Sequence, residues 1–135
     1  MKREDLHQVR NIQKEIRIYE KELAKMRAKS HISSQQVSGL PMAAGNSDPT
    51  VKRAIGEIEL EELINTEKER AELSKANIMR FINTIDNSQI RQIVFLRFIK
   101  LNSWRQVSVE IGGNNTSDSC RMMCNRYLDE IFTKK

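Results

Sequence analysis

The apolar residues between positions 3 and 29 constrain the fold more than any other feature of this chain. They recur at alternating spacings of three and four residues and comprise Val9, Ile12, Ile16, Tyr19, Leu23 and Met26. This a/d periodicity predicts one long amphipathic helix over residues 3–29, with Lys, Arg and Glu on its other faces. A stripe this narrow does not stabilise an isolated helix, so the helix needs a partner.

A second long helix is predicted for residues 49–85. Asp48 is a good N-cap, and Pro49 suits the first helical position. Apolar residues recur towards both ends of this helix, whereas residues 67–75 are polar and are expected to be solvated or weakly packed. The two helices predict either a coiled-coil-like antiparallel hairpin or an intermolecular coiled coil, and we expect a homo-oligomer formed through them.

Residues 30–48 separate the two predicted helices. Positions 30–47 contain no Lys, Arg, Asp or Glu and are rich in Ser, Gly, Asn and Gln. The segment is longer than about 12–15 residues, the usual limit for a structureless loop in a compact domain. We therefore predict a flexible linker, with a ligand-binding loop as the alternative.

Residues 86–135 contain the signals for three further helices. Asp86 with Gln89 resembles a capping box, and a strongly apolar helix follows it. Ser103 with Gln106 forms a second such box, and Gly112 provides the positive φ that ends a short helix. The sequence therefore predicts an all-α protein, in which a long N-terminal helical hairpin precedes a C-terminal helix-turn-helix domain.

The last predicted helix covers about residues 117–132, with Thr116 as its cap. Its predicted core face consists of Cys120, Met123, Cys124, Tyr127, Leu128 and Ile131. The two cysteines are interpreted as small buried core residues, because a metal site would need two more ligands. No metal ion or other cofactor is predicted.

The stretch LRFIKLNSWRQVSVEIG, residues 96–112, resembles the helix-turn-helix of sigma-70 region 4. The matching residues are Leu96, Arg97, Phe98, Ser103, Trp104, Val107, Ser108, Ile111 and Gly112. The chain is also similar in plan to phage-encoded late-gene activators of the ArpU/RinA type, which place a charged helical region before such a domain. This resemblance implies a sequence-specific DNA-binding transcriptional regulator of phage or prophage origin, with RNA polymerase as a further candidate partner.

A helix-turn-helix binds duplex DNA with both of its helices. The first helix directs its N-terminus at a phosphate, which predicts contacts from Ser103, Trp104 and Arg105. The second enters the major groove, and its predicted contacts are Thr116, Ser117, Asp118, Ser119, Arg121, Met122, Asn125 and Arg126. Among these, Arg121 has the donors to bind guanine and Asn125 the groups to bind adenine.

The alternatives to a transcriptional regulator are a DNA-packaging protein similar to terminase small subunits and a helical assembly protein. An enzyme is not predicted, because the sequence has no phosphate-cradling glycine loop and neither histidine has a plausible nearby nucleophile. There is no apolar run of about 18 residues and no secretory h-region, so we expect a cytoplasmic protein without a membrane span.

Overall fold

The computed structural model describes residues 1–36 and 49–133, with the side chains of residues 1–29 and 51–133. A short 3-10 helix, Arg3–His7, leads into α1, Gln8–Gln36, and α2 is Pro49–Asn83. The shorter helices are α3, Ser88–Val94, which continues as a π-helical turn over Phe95–Ile99, then α4, Trp104–Ile111, and α5, Ser117–Thr133. The described ranges contain no strand, which confirms the all-α class for this part of the chain. None of their helices is long and apolar enough to cross a membrane.

The chain divides into two compact units. One contains Met1–Ile12 and Arg70–Lys135, and the other contains Gln13–Glu69. Residues 86–133 therefore share a unit with the first residues of the chain and with the second half of α2. The predicted domain of residues 86–135 is smaller than this unit, because its core is completed by Leu6, Val9 and Ile78.

The first unit has a buried cluster to which each of its described helices contributes. Its fully or nearly fully buried members are Leu6, Val9, Ile78, Ile85, Ile93, Val94, Phe98, Val107, Cys120, Cys124 and Leu128. On α5 the buried residues follow a four-residue spacing, and Phe132 continues it by stacking on Phe81 with ring centroids 5.5 Å apart. The prediction that Ile131 belongs to this core is wrong, since 42% of Ile131 is exposed.

The second unit pairs α1 with α2. Leu23 and Ile64 are buried and line the same cleft. A β-carbon added at Gly56 would lie 2.9 Å from Cε of Met26, so the two helices approach closely there. Leu23 of α1 lies near Ile64 of α2, and Met26, further along α1, lies near Gly56, which comes earlier in α2. The two helices are therefore antiparallel within this unit. The apolar stripe of α1 is thus buried inside the chain, and self-association stays a prediction.

The polar middle of α2 is more buried than expected. Glu67 is only 3% exposed and Ala71 only 1%, although residues 67–75 were expected to be solvated or weakly packed. Both residues continue the inward face of α2 at three- and four-residue spacing from Ile64. The rest of residues 67–75 are exposed or half-buried, so the expectation holds for the segment apart from these two residues, which their helical positions turn inward.

Two helix boundaries also differ from the predictions. Helix α1 continues to Gln36, seven residues past its predicted end, because Ser, His and Gln do not break a helix. The rest of the predicted linker lies outside the described residues. The cap of α3 is Asn87 and not Asp86, since the Asn87 side chain accepts from the Ile90 N–H at 3.1 Å.

The chain reverses between α3 and α4 through a left-handed residue. Leu101 has a φ of 59°, a conformation that costs about 1–2 kcal/mol for a residue with a β-carbon. The Lys100 N–H donates to the Phe95 carbonyl at 3.1 Å, and the Asn102 N–H donates to the Leu96 carbonyl at 3.0 Å. The Leu101 side chain packs against the core of the first unit, which offsets the backbone strain and fixes where α4 begins.

The pairing of α1 with α2 predicts different effects for two isoleucines on α1. Ile16 is 4% exposed and Ile18 is 65% exposed. We expect Ile16→Ala to lower the free energy of unfolding by about 2–5 kcal/mol, because it leaves a cavity beneath the buried apolar stripe of α1. The matched variant Ile18→Ala should change it by no more than about 0.5 kcal/mol. Urea denaturation followed by circular dichroism measures both, and equal effects would contradict this packing.

Candidate nucleic-acid interface

The N-terminus of α4 is fixed by reciprocal hydrogen bonds. The Gln106 N–H donates to the Ser103 hydroxyl oxygen at 3.2 Å, and the Ser103 N–H donates to the Gln106 side-chain oxygen at 2.9 Å. The predicted capping box is therefore confirmed. The N–H groups of Trp104 and Arg105 precede the first intrahelical hydrogen bonds, so they are the groups that this helix end offers to an anion.

Trp104 packs its ring on the core of the first unit and is partly exposed at the start of α4. The guanidinium carbon of Arg97 lies 4.6 Å from the centroid of the indole, a cation–π contact. Arg97 also donates from Nη1 to the Asn102 carbonyl at 2.9 Å. A positive charge is thereby held beside the first turn of α4. Sequence reasoning used Arg97 only as a match to the family pattern and missed this role.

The first turn of the chain brings further cations to the same region. The His7 ring meets Phe98 edge-on with centroids 5.6 Å apart. Burial, followed by the charges of Arg10, Arg97 and Arg3, lowers the pKa of His7 from its ordinary value, against a smaller opposing effect of Glu4. The Arg3–His7–Arg10 spacing of four and three residues was the available signal, because it places these residues on one side of a helical segment.

A tight turn connects α4 to α5. Gly112 and Gly113 have φ values of 73° and 67°, so the predicted glycine termination of α4 is confirmed. The Asn115 side-chain amide donates to the Gly112 carbonyl at 3.0 Å. Thr116 caps α5, as predicted, since the Ser119 N–H donates to its hydroxyl oxygen at 3.1 Å.

Four of the predicted groove residues are exposed on α5. They are Asp118, Arg121, Met122 and Arg126. Arg121 lies 3.5 Å from the Asp118 carboxylate, an exposed pair three residues apart that contributes only about 0.2–0.5 kcal/mol. A bidentate contact to guanine is worth about 1–3 kcal/mol, which is more than the ion pair contributes. Breaking the pair would therefore not prevent Arg121 from binding a base.

Other predicted contacts are engaged within the chain. The Ser119 hydroxyl donates to the Thr116 carbonyl at 3.0 Å and accepts from the Thr116 N–H at 2.9 Å. Ser117 is half-buried. The side-chain oxygen of Asn125 accepts from Arg3 at 3.4 Å, and Arg3 also forms an ion pair with Asp129. The residues of this face best placed for an external partner are therefore Arg121, Met122 and Arg126.

The two cysteines are completely buried in the core, as predicted. Burial raises the pKa of the Cys124 thiol to about 11 and also raises the pKa of Cys120. Both groups are thiols and not thiolates at neutral pH. Within the residues that the structure describes, no group of His, Cys, Asp and Glu side chains could hold a metal ion.

No family model, curated protein or solved structure matches this chain.

The raised pKa of Cys124 predicts a loss of stability in alkali. Between about pH 9 and pH 11 the unfolded thiol ionises while the folded thiol stays protonated, so this contribution is complete below about pH 9 and is lost above it. At about pH 10.5 the loss should reach about 2 kcal/mol, at about 1.4 kcal/mol per pKa unit. Urea unfolding as a function of pH measures it. Cys124→Ala should show a shallower decline from its own lower baseline, and parallel curves would contradict the assignment.

Proposed function

We propose that α4, the turn and α5 form a DNA-binding helix-turn-helix, and that the chain is a sequence-specific transcriptional regulator. One observation carries the proposal. A short capped helix packs against a longer one through Val107, Cys120 and Cys124. The longer helix keeps Arg121 and Met122 exposed in its second turn and Arg126 exposed one turn further on. This combination supports the proposal, because a DNA-binding helix-turn-helix needs exposed side chains able to read bases on a rigid helix and a nearby helix end that suits a phosphate.

The three exposed residues Arg121, Met122 and Arg126 each have a DNA contact that their chemistry favours. Arg121 offers two parallel donors to the O6 and N7 atoms of guanine. Met122 offers apolar contact to a thymine methyl group, and Arg126 offers a charge to the phosphate backbone. Asn125 would read adenine only after it leaves Arg3, so it contributes less than Arg121 to sequence preference.

Phosphate binding is assigned to the start of α4. The N–H groups of Trp104 and Arg105 and the positive end of the helix dipole favour an anion there. The guanidinium groups of Arg97 and Arg105 add charge, and Arg97 is held in place by the Trp104 ring and the Asn102 carbonyl. Such contacts position the protein on DNA without reading its sequence.

The resemblance to phage late-gene activators extends this proposal. It favours a cytoplasmic regulator of phage or prophage origin with RNA polymerase as a second partner. The net charge of +5 is compatible with nucleic-acid binding.

Two arginines test the division between reading bases and binding phosphates. Arg121→Ala should weaken binding to the preferred duplex by about 1–3 kcal/mol and reduce the preference for it over random duplexes. Arg105→Ala should weaken binding to all duplexes equally and flatten the dependence of log K on log salt by about one unit.

Arg80→Ala, at an exposed position on α2, is the matched control and should bind like wild type. The preferred duplex is obtained by selecting bound DNA from a random pool. Wild-type binding by both test variants across a salt titration would contradict the proposed interface.

A substitution at Asp118 tests whether the exposed face of α5 approaches the phosphates of DNA. Its carboxylate is exposed beside Arg121, so Asp118→Asn removes a charge that repels phosphate. We expect binding to random duplexes to tighten by about two- to fivefold, since exposed charges a few ångströms apart interact by about 1 kcal/mol in water. The melting temperature should fall slightly, because an acid near a helix N-terminus contributes about 0.3–1 kcal/mol. Fluorescence anisotropy and thermal unfolding measure the two effects. Weaker binding by this variant would mean that Asp118 faces a donor and not a phosphate.

A further inference from the structure

A line of cations runs along the part of α1 that belongs to the second unit. Lys14, Arg17, Lys21 and Lys25 are spaced by three, four and four residues, and all four are exposed. Residues at these spacings are neighbours on a helix surface, with β-carbons about 5–6 Å apart. The line is therefore about 16 Å long, at about 1.5 Å of rise per residue.

This line lies on the face of α1 opposite its buried apolar stripe. Ile16 and Leu23 point inward, half a turn away from Lys14 and Lys21. The carboxylates of this part of α1, Glu15, Glu20 and Glu22, fall to either side of the line and not within it. Arg27 is excluded from the line, because it pairs with Glu61 of α2.

Within the line, successive cations three or four residues apart repel each other. The flanking Glu20 and Glu22, three residues from Arg17 and Lys25, offset part of this repulsion. The chain has acidic residues available on α1, yet its cations are gathered on one face. A bound polyanion would remove this repulsion and would release condensed counterions from itself.

We propose that this cationic line, formed by Lys14, Arg17, Lys21 and Lys25, binds the phosphate backbone of duplex nucleic acid independently of sequence. Duplex DNA suits it because phosphates follow one another closely along each strand and present a charge to every cation of a straight helix. An anionic membrane suits it less well, since the apolar face of α1 is buried against α2 and is not available for insertion among lipids. The line belongs to the second unit and α5 to the first, and the proposal does not rest on the function proposed for α5.

The test uses the full chain and a random-sequence duplex of about 24 base pairs. The variant Lys14→Gln/Arg17→Gln/Lys21→Gln removes three charges while keeping good helix formers. It should bind the duplex at least about tenfold more weakly at low salt, and the slope of log K against log salt should fall in magnitude by about two to three. The control Lys52→Gln/Lys68→Gln/Arg80→Gln removes three exposed charges from α2 and should keep most of the slope. The charge-conserving variant Lys14→Arg/Arg17→Lys/Lys21→Arg should bind like wild type.

Sequence preference separates this test from that of α5. The glutamine variant should keep its preference for the selected duplex over random ones, whereas Arg121→Ala should lose it. Equal losses in the glutamine variant and its α2 control would overturn the proposal, because net charge alone would then explain the binding. Absence of wild-type binding to the random duplex would also overturn it. So would unchanged duplex binding with loss of binding to phosphatidylserine vesicles, which would assign the line to a membrane.

Discussion

The burial of narrow apolar stripes on highly charged helices is the constraint on which this structure depends. Helix α1 carries its stripe among lysines, arginines and glutamates, so it has little stability of its own. In the second unit the stripe is covered by α2, with Leu23 and Ile64 buried there. In the first unit Leu6 and Val9 join Ile78 in the cluster that also holds α4 and α5. The helices of the candidate interface are therefore held in place partly by residues far from them in sequence.

The local signals of the sequence were sufficient to predict the ends of the helices that build the interface. Ser103, Gly112 and Thr116 act as predicted, because a cap depends on one side chain and a glycine turn on one φ angle. The start of α2 at Pro49 follows from similarly local chemistry. The all-α class was predictable from the spacing of apolar residues alone.

Features that depend on tertiary packing were not predictable in the same way. Leu101 adopts a left-handed conformation that its side chain disfavours, and only its packing on the core explains it. Glu67 is buried although its neighbours in sequence are polar. Arg97 takes its place beside Trp104 because the turn at Leu101 brings the two together. Asn125 was predicted to contact DNA, but its side-chain oxygen accepts from Arg3, which is distant from it in sequence.

In the proposed complex, the start of α4 and the outward face of α5 contact duplex DNA. Nuclear magnetic resonance of the nitrogen-15-labelled full chain, titrated with the selected duplex, locates the contacting residues. We expect the largest amide shift changes at residues 103–105 and 117–126, with the side-chain Nε–H signals of Arg121 and Arg105 shifting in step. A complex in which these signals stay unchanged, while others move, would contradict the proposed contacts.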